Sequence, residues 1–181
     1  MSSWRTGAGW ALAGVAALVL CQPTATVTVT QQAEGAARCT GAEYRQFDFW
    51  IGDWEVTGPG GEVVGTNRIE RIVDGCALSE RWTGRAGSVG HSVNMFDRST
   101  RTWHQTWVDN SGLLLQLDGG LQGEAMVLSG TTRADDGAVT RQRISWEPRS
   151  DGTVRQHWET STDDGRSWTT VFDGIYAKTA P

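Results

Sequence analysis

FDFWIGDWEV, residues 47–56, sets Phe47, Phe49, Trp50 and Trp54 within eight positions, interrupted only by Asp48, Ile51, Gly52 and Asp53. Such density of rings beside a glycine falls where the folded part of the chain begins. Upstream, the chain reads as a leader: Arg5 gives a positive start, and Trp10 to Leu20 form an apolar run too short to span a bilayer. Residues 1–25 are therefore expected to be a secretory signal peptide. Cys21 opens the alternative of a lipid-modified amino terminus, against which stands the bulky Leu20 before it. Residues 26–38, rich in Thr, Gln and Ala without sustained periodicity, read as a flexible linker, and residues 39–181 as one domain with a core of ordinary size.

The formal net charge of −5 and the lack of basic runs argue against nucleic acid or an anionic membrane as partner. No second apolar stretch is long enough to cross a membrane, and composition carries no signal for a protein partner. Leader removal leaves Cys39 and Cys76 in a chain bound for an oxidising compartment, secreted or periplasmic, so a Cys39–Cys76 disulfide is the economical reading. Two free thiols or metal ligands are the competing readings. No Cys-x-x-Cys or Cys-x-x-His spacing supports zinc, and no metal or cofactor is expected.

Beyond residue 53, turn chemistry recurs at short intervals: Gly58-Pro59-Gly60-Gly61, Asp74-Gly75, Asp97 to Thr100, Asp109-Asn110-Ser111-Gly112, Gly119-Gly120, Asp135-Asp136-Gly137, Ser150-Asp151-Gly152 and Asp164-Gly165. Thr, Val, Ile and Trp dominate between these turns, and no helical period is sustained. About ten strands joined by short turns predict an all-β, antiparallel up-and-down barrel, whose closure removes exposed edges. Ser161 to Trp168 resembles an Asp-box hairpin; its single copy reads as a stabilised turn, since a propeller needs the motif at a fixed period.

Alternation sorts the strand residues onto two faces. Gln142, Ile144 and Trp146 oppose Arg141, Arg143, Ser145 and Glu147; Gln156 and Trp158 oppose Arg155, His157 and Glu159; Gln105 shares a face with Trp103 and Trp107. Leu78, Glu80 and Trp82 share a face with Cys76, and Asn67 with Val63, Gly65 and Ile69. Ser92, Asn94 and Phe96 form a further set, against His91, Val93 and Met95. Buried amides without partners cost about 1–3 kcal/mol each, so Asn67, Glu80, Asn94, Gln105, Gln142 and Gln156 facing inward beside Trp82, Trp107, Trp146 and Trp158 point to a cavity for a flat amphipathic ligand. The bland alternative is a packed core whose amides bond one another.

FDFWIGDW, NRIERIVDGCALSERW, SVNMFD and WHQTWVDNSG resemble, in that order, a group of uncharacterised bacterial exported proteins, a domain of unknown function of lipocalin-like or calycin type. Gly52-Asp53-Trp54 is similar to the Gly-x-Trp signature of the first lipocalin strand. That resemblance implies a short 3₁₀ turn plugging one barrel end, with Phe49 and Trp50 beneath it, Gly52 for close approach, Trp54 as the plug and Lys178 as the candidate basic partner of that ring. It supplies no activity.

Glu80 is the one catalytic candidate: desolvation by Leu78 and Trp82 would raise its proton affinity into the range of an acid or base for an isomerase, hydratase or cyclase. A bond to Asn67 or a pair with Arg71 is the structural alternative. His104 and His157 fall on outward faces; His91, after the Gly84 to Gly90 loop, is placed to reach a barrel mouth. The sequence thus predicts a secreted or periplasmic small-molecule binder without catalysis, with a Glu80 enzyme and a structural or protein-binding barrel as the alternatives.

Overall fold

A computed structural model describes residues 39–179; the expected leader, the linker and Cys21 lie outside them. Ten strands follow in chain order: β1 (Gly52–Thr57), β2 (Val63–Ile72), β3 (Ala77–Gly84), β4 (Val89–Asp97), β5 (Thr102–Asp109), β6 (Leu114–Gln122), β7 (Ala125–Arg133), β8 (Val139–Pro148), β9 (Val154–Ser161) and β10 (Thr169–Lys178). Each pairs antiparallel with its sequence neighbours, and β1 pairs with β10, so the meander closes into a lipocalin-like barrel with no free edge. Among the described residues no helix is long and apolar enough to cross a membrane.

Strand alternation decides what points inward. In β4, Gly90, Ser92, Asn94 and Phe96 are buried while Val89, His91, Val93 and Met95 are exposed. This corrects the expectation for His91: it is paired with Arg81 on the outer surface, because the turn before β4 fixes the parity and leaves the histidine on the wrong face for the mouth. A second correction concerns Gly119 and Gly120, which lie within β6, with the turn falling at Gly123 and Glu124. Gly119 is a close-approach glycine, since a Cβ there would sit 2.1 Å from the Val127 carbonyl oxygen on β7.

One end of the barrel is sealed. Two 3₁₀ turns, Ala42–Arg45 and Asp48–Trp50, cross it before β1 begins. Phe47 stacks on Trp50 at 4.9 Å between ring centroids and meets Trp146 and Trp103 edge-on at 5.1 and 5.6 Å. Phe49 packs, half-buried, against Phe47, and the Trp54 indole N–H donates to the Trp50 carbonyl at 2.9 Å. Gly52 takes φ +151°, where a side chain would be strained, and packs at contact distance beside Trp54 and Lys178. The Lys178 ammonium lies 5.3 Å from the Trp54 ring centroid, directly across the β1–β10 pair.

The same segment is strapped to the β2–β3 connection. Cys39 and Cys76, 37 residues apart, form the expected disulfide. Arg45 donates to the carbonyls of Cys39 and Gly75 at 2.8 and 2.5 Å, and Arg71 pairs with Asp48 at 2.5 Å. Arg71 therefore serves the plug rather than Glu80.

Outer faces carry the ion pairs that alternation predicts, among them Arg143–Glu159 at 2.9 Å and Arg155–Asp173 at 2.8 Å. The Asp-box is a stabilised hairpin: Asp163 accepts from the Ser167 side chain and backbone, which with Ser161 hold its carboxyl down at about 2, and Trp168 closes over the Gly165 carbonyl.

Candidate functional site

At the end opposite the plug the barrel is hollow. A cavity of about 230 Å³ opens among the turns that join β3 to β4, β5 to β6 and β9 to β10. Its walls are Trp82, Trp107, Trp158 and Phe172; its floor is Glu80, Gln156 and Tyr176; Ser88, Asp109 and Val171 stand at the mouth.

Glycines make the hollow. An added Cβ at Gly65 would fall 2.6 Å from the Trp82 ring, at Gly90 2.2 Å from Trp107, and at Gly174 2.6 Å from Phe172. The Trp82 and Trp107 rings thus lie against neighbouring strands, and Phe172 against its own, at positions with no side chain to obstruct them. Phe172 shares the inward face of Gly174 and Tyr176 in unbroken register with β9, and a bulge between Thr170 and Phe172 separates that stretch from the start of β10.

All three cavity indoles have their N–H engaged. Trp82 donates to Ser88 Oγ at 3.1 Å, Trp107 to Asp109 Oδ2 at 3.3 Å, and Trp158 to Gln142 Oε1 at 2.8 Å. Gln142 is itself fixed by its donation to Thr132 at 2.9 Å. These bonds hold the rings in place, Trp82 and Trp107 from the mouth and Trp158 from behind, with Trp82 also meeting Phe172 edge-on at 5.8 Å.

Glu80, only 3% exposed, is the centre of a polar chain. Its Oε2 accepts from Ser92 Oγ at 2.6 Å and its Oε1 from Asn67 Nδ2 at 2.7 Å. Behind Ser92, Gln105 donates to Asn94 at 2.7 Å and Asn94 donates to Ser92 at 2.8 Å, so successive donors point toward the carboxylate. Asn67 also donates to the Tyr176 hydroxyl at 3.3 Å, and Tyr176 donates to Gln156. Burial drives the Glu80 carboxyl up to about 7, against the lowering effect of Ser92 and Asn67. Burial, followed by the nearby Glu80 charge, pushes the Tyr176 phenol well above its ordinary range. Asn67 Oδ1 is buried without a partner among the described residues; turning that carboxamide over would present it to a protonated Glu80.

The sequence-predicted residues therefore fall into three places. Glu80, Trp82, Trp107, Gln156 and Trp158 line the cavity. Asn67, Asn94, Gln105 and Gln142 face inward but stand behind it, buried and bonded to one another or to its lining. Trp146 is a correction: it lies near the sealed end of β8, fully buried beneath Phe47 and Trp50, where no ligand meets it. Sequence reasoning missed Tyr176, Phe172 and Asp109. The available signal was Gly174, two residues before Tyr176 on the same face, and inward glycines opposite inward tryptophans generally.

The chain matches no protein-family model and no curated protein.

Proposed function

We propose that this protein is an exported, non-catalytic binder of a small ring-shaped ligand, held in the mouth-side cavity. The observation that carries this reading is the cavity walled by four aromatic rings, three of which, Trp82, Trp107 and Phe172, each lie against a glycine, which leaves space where a barrel built for stability alone would be filled. At about 230 Å³ the cavity is below the roughly 300–1,000 Å³ of drug-sized sites, which suits one or two fused rings. Export, through the leader over residues 1–25, agrees with the Cys39–Cys76 disulfide, because such bonds persist in secreted and periplasmic proteins. Membership of the exported lipocalin-like group belongs to the same proposal.

Titration with naphthalene tests it: fluorescence from the cavity tryptophans should be quenched saturably, and Trp107→Ala should weaken binding. Absence of saturable binding by naphthalene, together with no small molecule retained in native mass spectra of protein from its own host, would leave a structural barrel.

A second reading, proton transfer, draws on Glu80 and the Tyr176 hydroxyl standing on one floor, joined through Asn67, with the carboxyl at about 7. Glu80→Gln separates the two readings. Turnover lost with ligand binding retained supports catalysis, whereas turnover unchanged on a found substrate removes Glu80 from that role.

A further inference from the structure

We infer that the ligand of this cavity is a small organic cation, a ring bearing a protonated or quaternary nitrogen, whose charge is held between the Glu80 carboxylate and the tryptophan faces. The inference rests on the binding reading above and adds the sign of the guest's charge.

The lining is charged in one sense only. Glu80 at the floor and Asp109 at the mouth are its ionisable carboxylates, and among the described residues no Lys, Arg or His lines the cavity. Basic groups on the adjoining elements are turned away: His91 and Arg81 lie on the outer face of β4 and β3, Arg85 in the turn between them borders a separate surface groove with Thr66 and Thr83, and His157 bonds Thr170 outside the barrel. A carboxylate or phosphate guest would meet two like charges and no counter-charge, so the wall selects against anions.

What the cavity offers a cation is more specific than charge. Three indole rings and Phe172 surround the space, the arrangement by which aromatic cages hold ammonium groups through the negative π-face. Trp107 donates its N–H to Asp109, which enriches its ring in electron density and strengthens that attraction. Burial alone would raise the Asp109 carboxyl, but bonds from Ser111, Trp107 and the Leu113 N–H hold it below its ordinary value, so a fixed negative charge remains at the entrance to steer a cation in. At the floor, a carboxylate presents about four acceptor positions. Ser92 and Asn67 occupy two of those on Glu80, leaving capacity toward the cavity for a guest's N–H or for the field of a quaternary nitrogen.

Without a guest, Glu80 is an acid neutral up to about 7. A bound cation favours its ionised form, so binding expels the proton, and affinity for a permanently charged guest rises with pH through that region. The groups packed around Glu80 do not obscure this dependence: Asn67 on β2, Ser92 on β4 and Gln156 on β9 do not titrate there, Tyr176 on β10 is held well above the range, and Asp109 stays ionised.

The test compares two isosteric probes, phenyltrimethylammonium and tert-butylbenzene, which differ in the charge at one atom. Calorimetric or fluorescence titration of the full chain at about pH 8 should give the cation an affinity on the order of tenfold greater than the neutral probe. That preference should shrink below about threefold at roughly pH 5.5, with the neutral probe unchanged. Glu80→Gln should reduce the preference to that residual, below about threefold, at either pH, and Asp109→Asn, distant from the floor, should lower it in part. Equal or tighter binding of tert-butylbenzene overturns the cation inference and leaves the cavity reading standing. Cation preference that is independent of pH overturns Glu80 as its counter-charge. Binding of neither probe up to its solubility limit removes the cavity reading itself, and the cation with it.

Discussion

The two ends of this barrel use the same residue type in opposite ways. At the sealed end, Trp54 and Trp103 bond the Trp50 carbonyl and Gln46, but Trp50 and Trp146 are fully buried with their indole N–H groups lacking hydrogen-bond partners among the described residues. At the open end, Trp82, Trp107 and Trp158 have those groups bonded and line the cavity. An orphaned N–H costs about 1–3 kcal/mol, yet burying an aromatic side chain recovers more, so the plug tolerates that loss in exchange for ring-on-ring packing. The mouth does the reverse, ordering each ring by a polar anchor and leaving apolar surface unburied. Packing is densest at one end, and the cavity lies at the other.

The contrast is open to direct attack. Its largest expected break is Trp50→Ala, which removes the centre of the plug and should cost about 3–5 kcal/mol in denaturant unfolding. Opening the strap comes next: Cys39→Ser with Cys76→Ser frees a separation of 37 residues and should cost about 3–4 kcal/mol by loop-closure entropy. An equal loss from Trp158→Ala would erase the distinction between the ends.

Glu80→Gln sharpens the comparison through pH. The folded carboxyl keeps its proton up to about 7, whereas the unfolded chain releases it near 4.5. Between those values unfolding releases a proton, so wild-type stability falls as pH rises from about 4.5 to about 7 and is flat on this account above. The difference is on the order of 3 kcal/mol. Glutamine imitates the neutral acid and should flatten the curve, matching wild type in acid and exceeding it in stability above about pH 7. A variant curve parallel to wild type in thermal melts would refute the assignment. The smallest effect is expected of Trp158→Ala: its ring already borders empty space, so stability should fall by only about 1–2 kcal/mol while ligand affinity falls markedly.

Much of this was legible because period-two alternation is rigid. The inward placement of Asn67, Glu80, Gln105 and Gln142 followed from strand parity once each strand was recognised, and the arginines Arg143 and Arg155 fell outside on the same logic. Depth along a strand was not legible. Trp146 and Trp158 share the inward side of adjacent, antiparallel strands, yet one lies in the plug and the other in the cavity, because alternation reports face and says nothing of height in the barrel. Height follows from cross-strand register: Trp146 is opposite Gln156, while Trp158 is opposite Ile144. Gly119 and Gly120 misled for a related reason, since close approach and turning ask for the same residue. Phe172 shares its face with Gly174 and Tyr176, and a bulge just before it breaks the parity with Thr170 without a mark in the sequence.

The strap that joins Cys39 to Cys76, and the bond from the Thr179 N–H to the Asp53 carbonyl at 3.0 Å, place both ends of the described chain beside the plug. A surface linkage, fusion or anchor attached at either point would therefore grip the barrel by its base, and the vessel would stand with its opening toward the surrounding fluid.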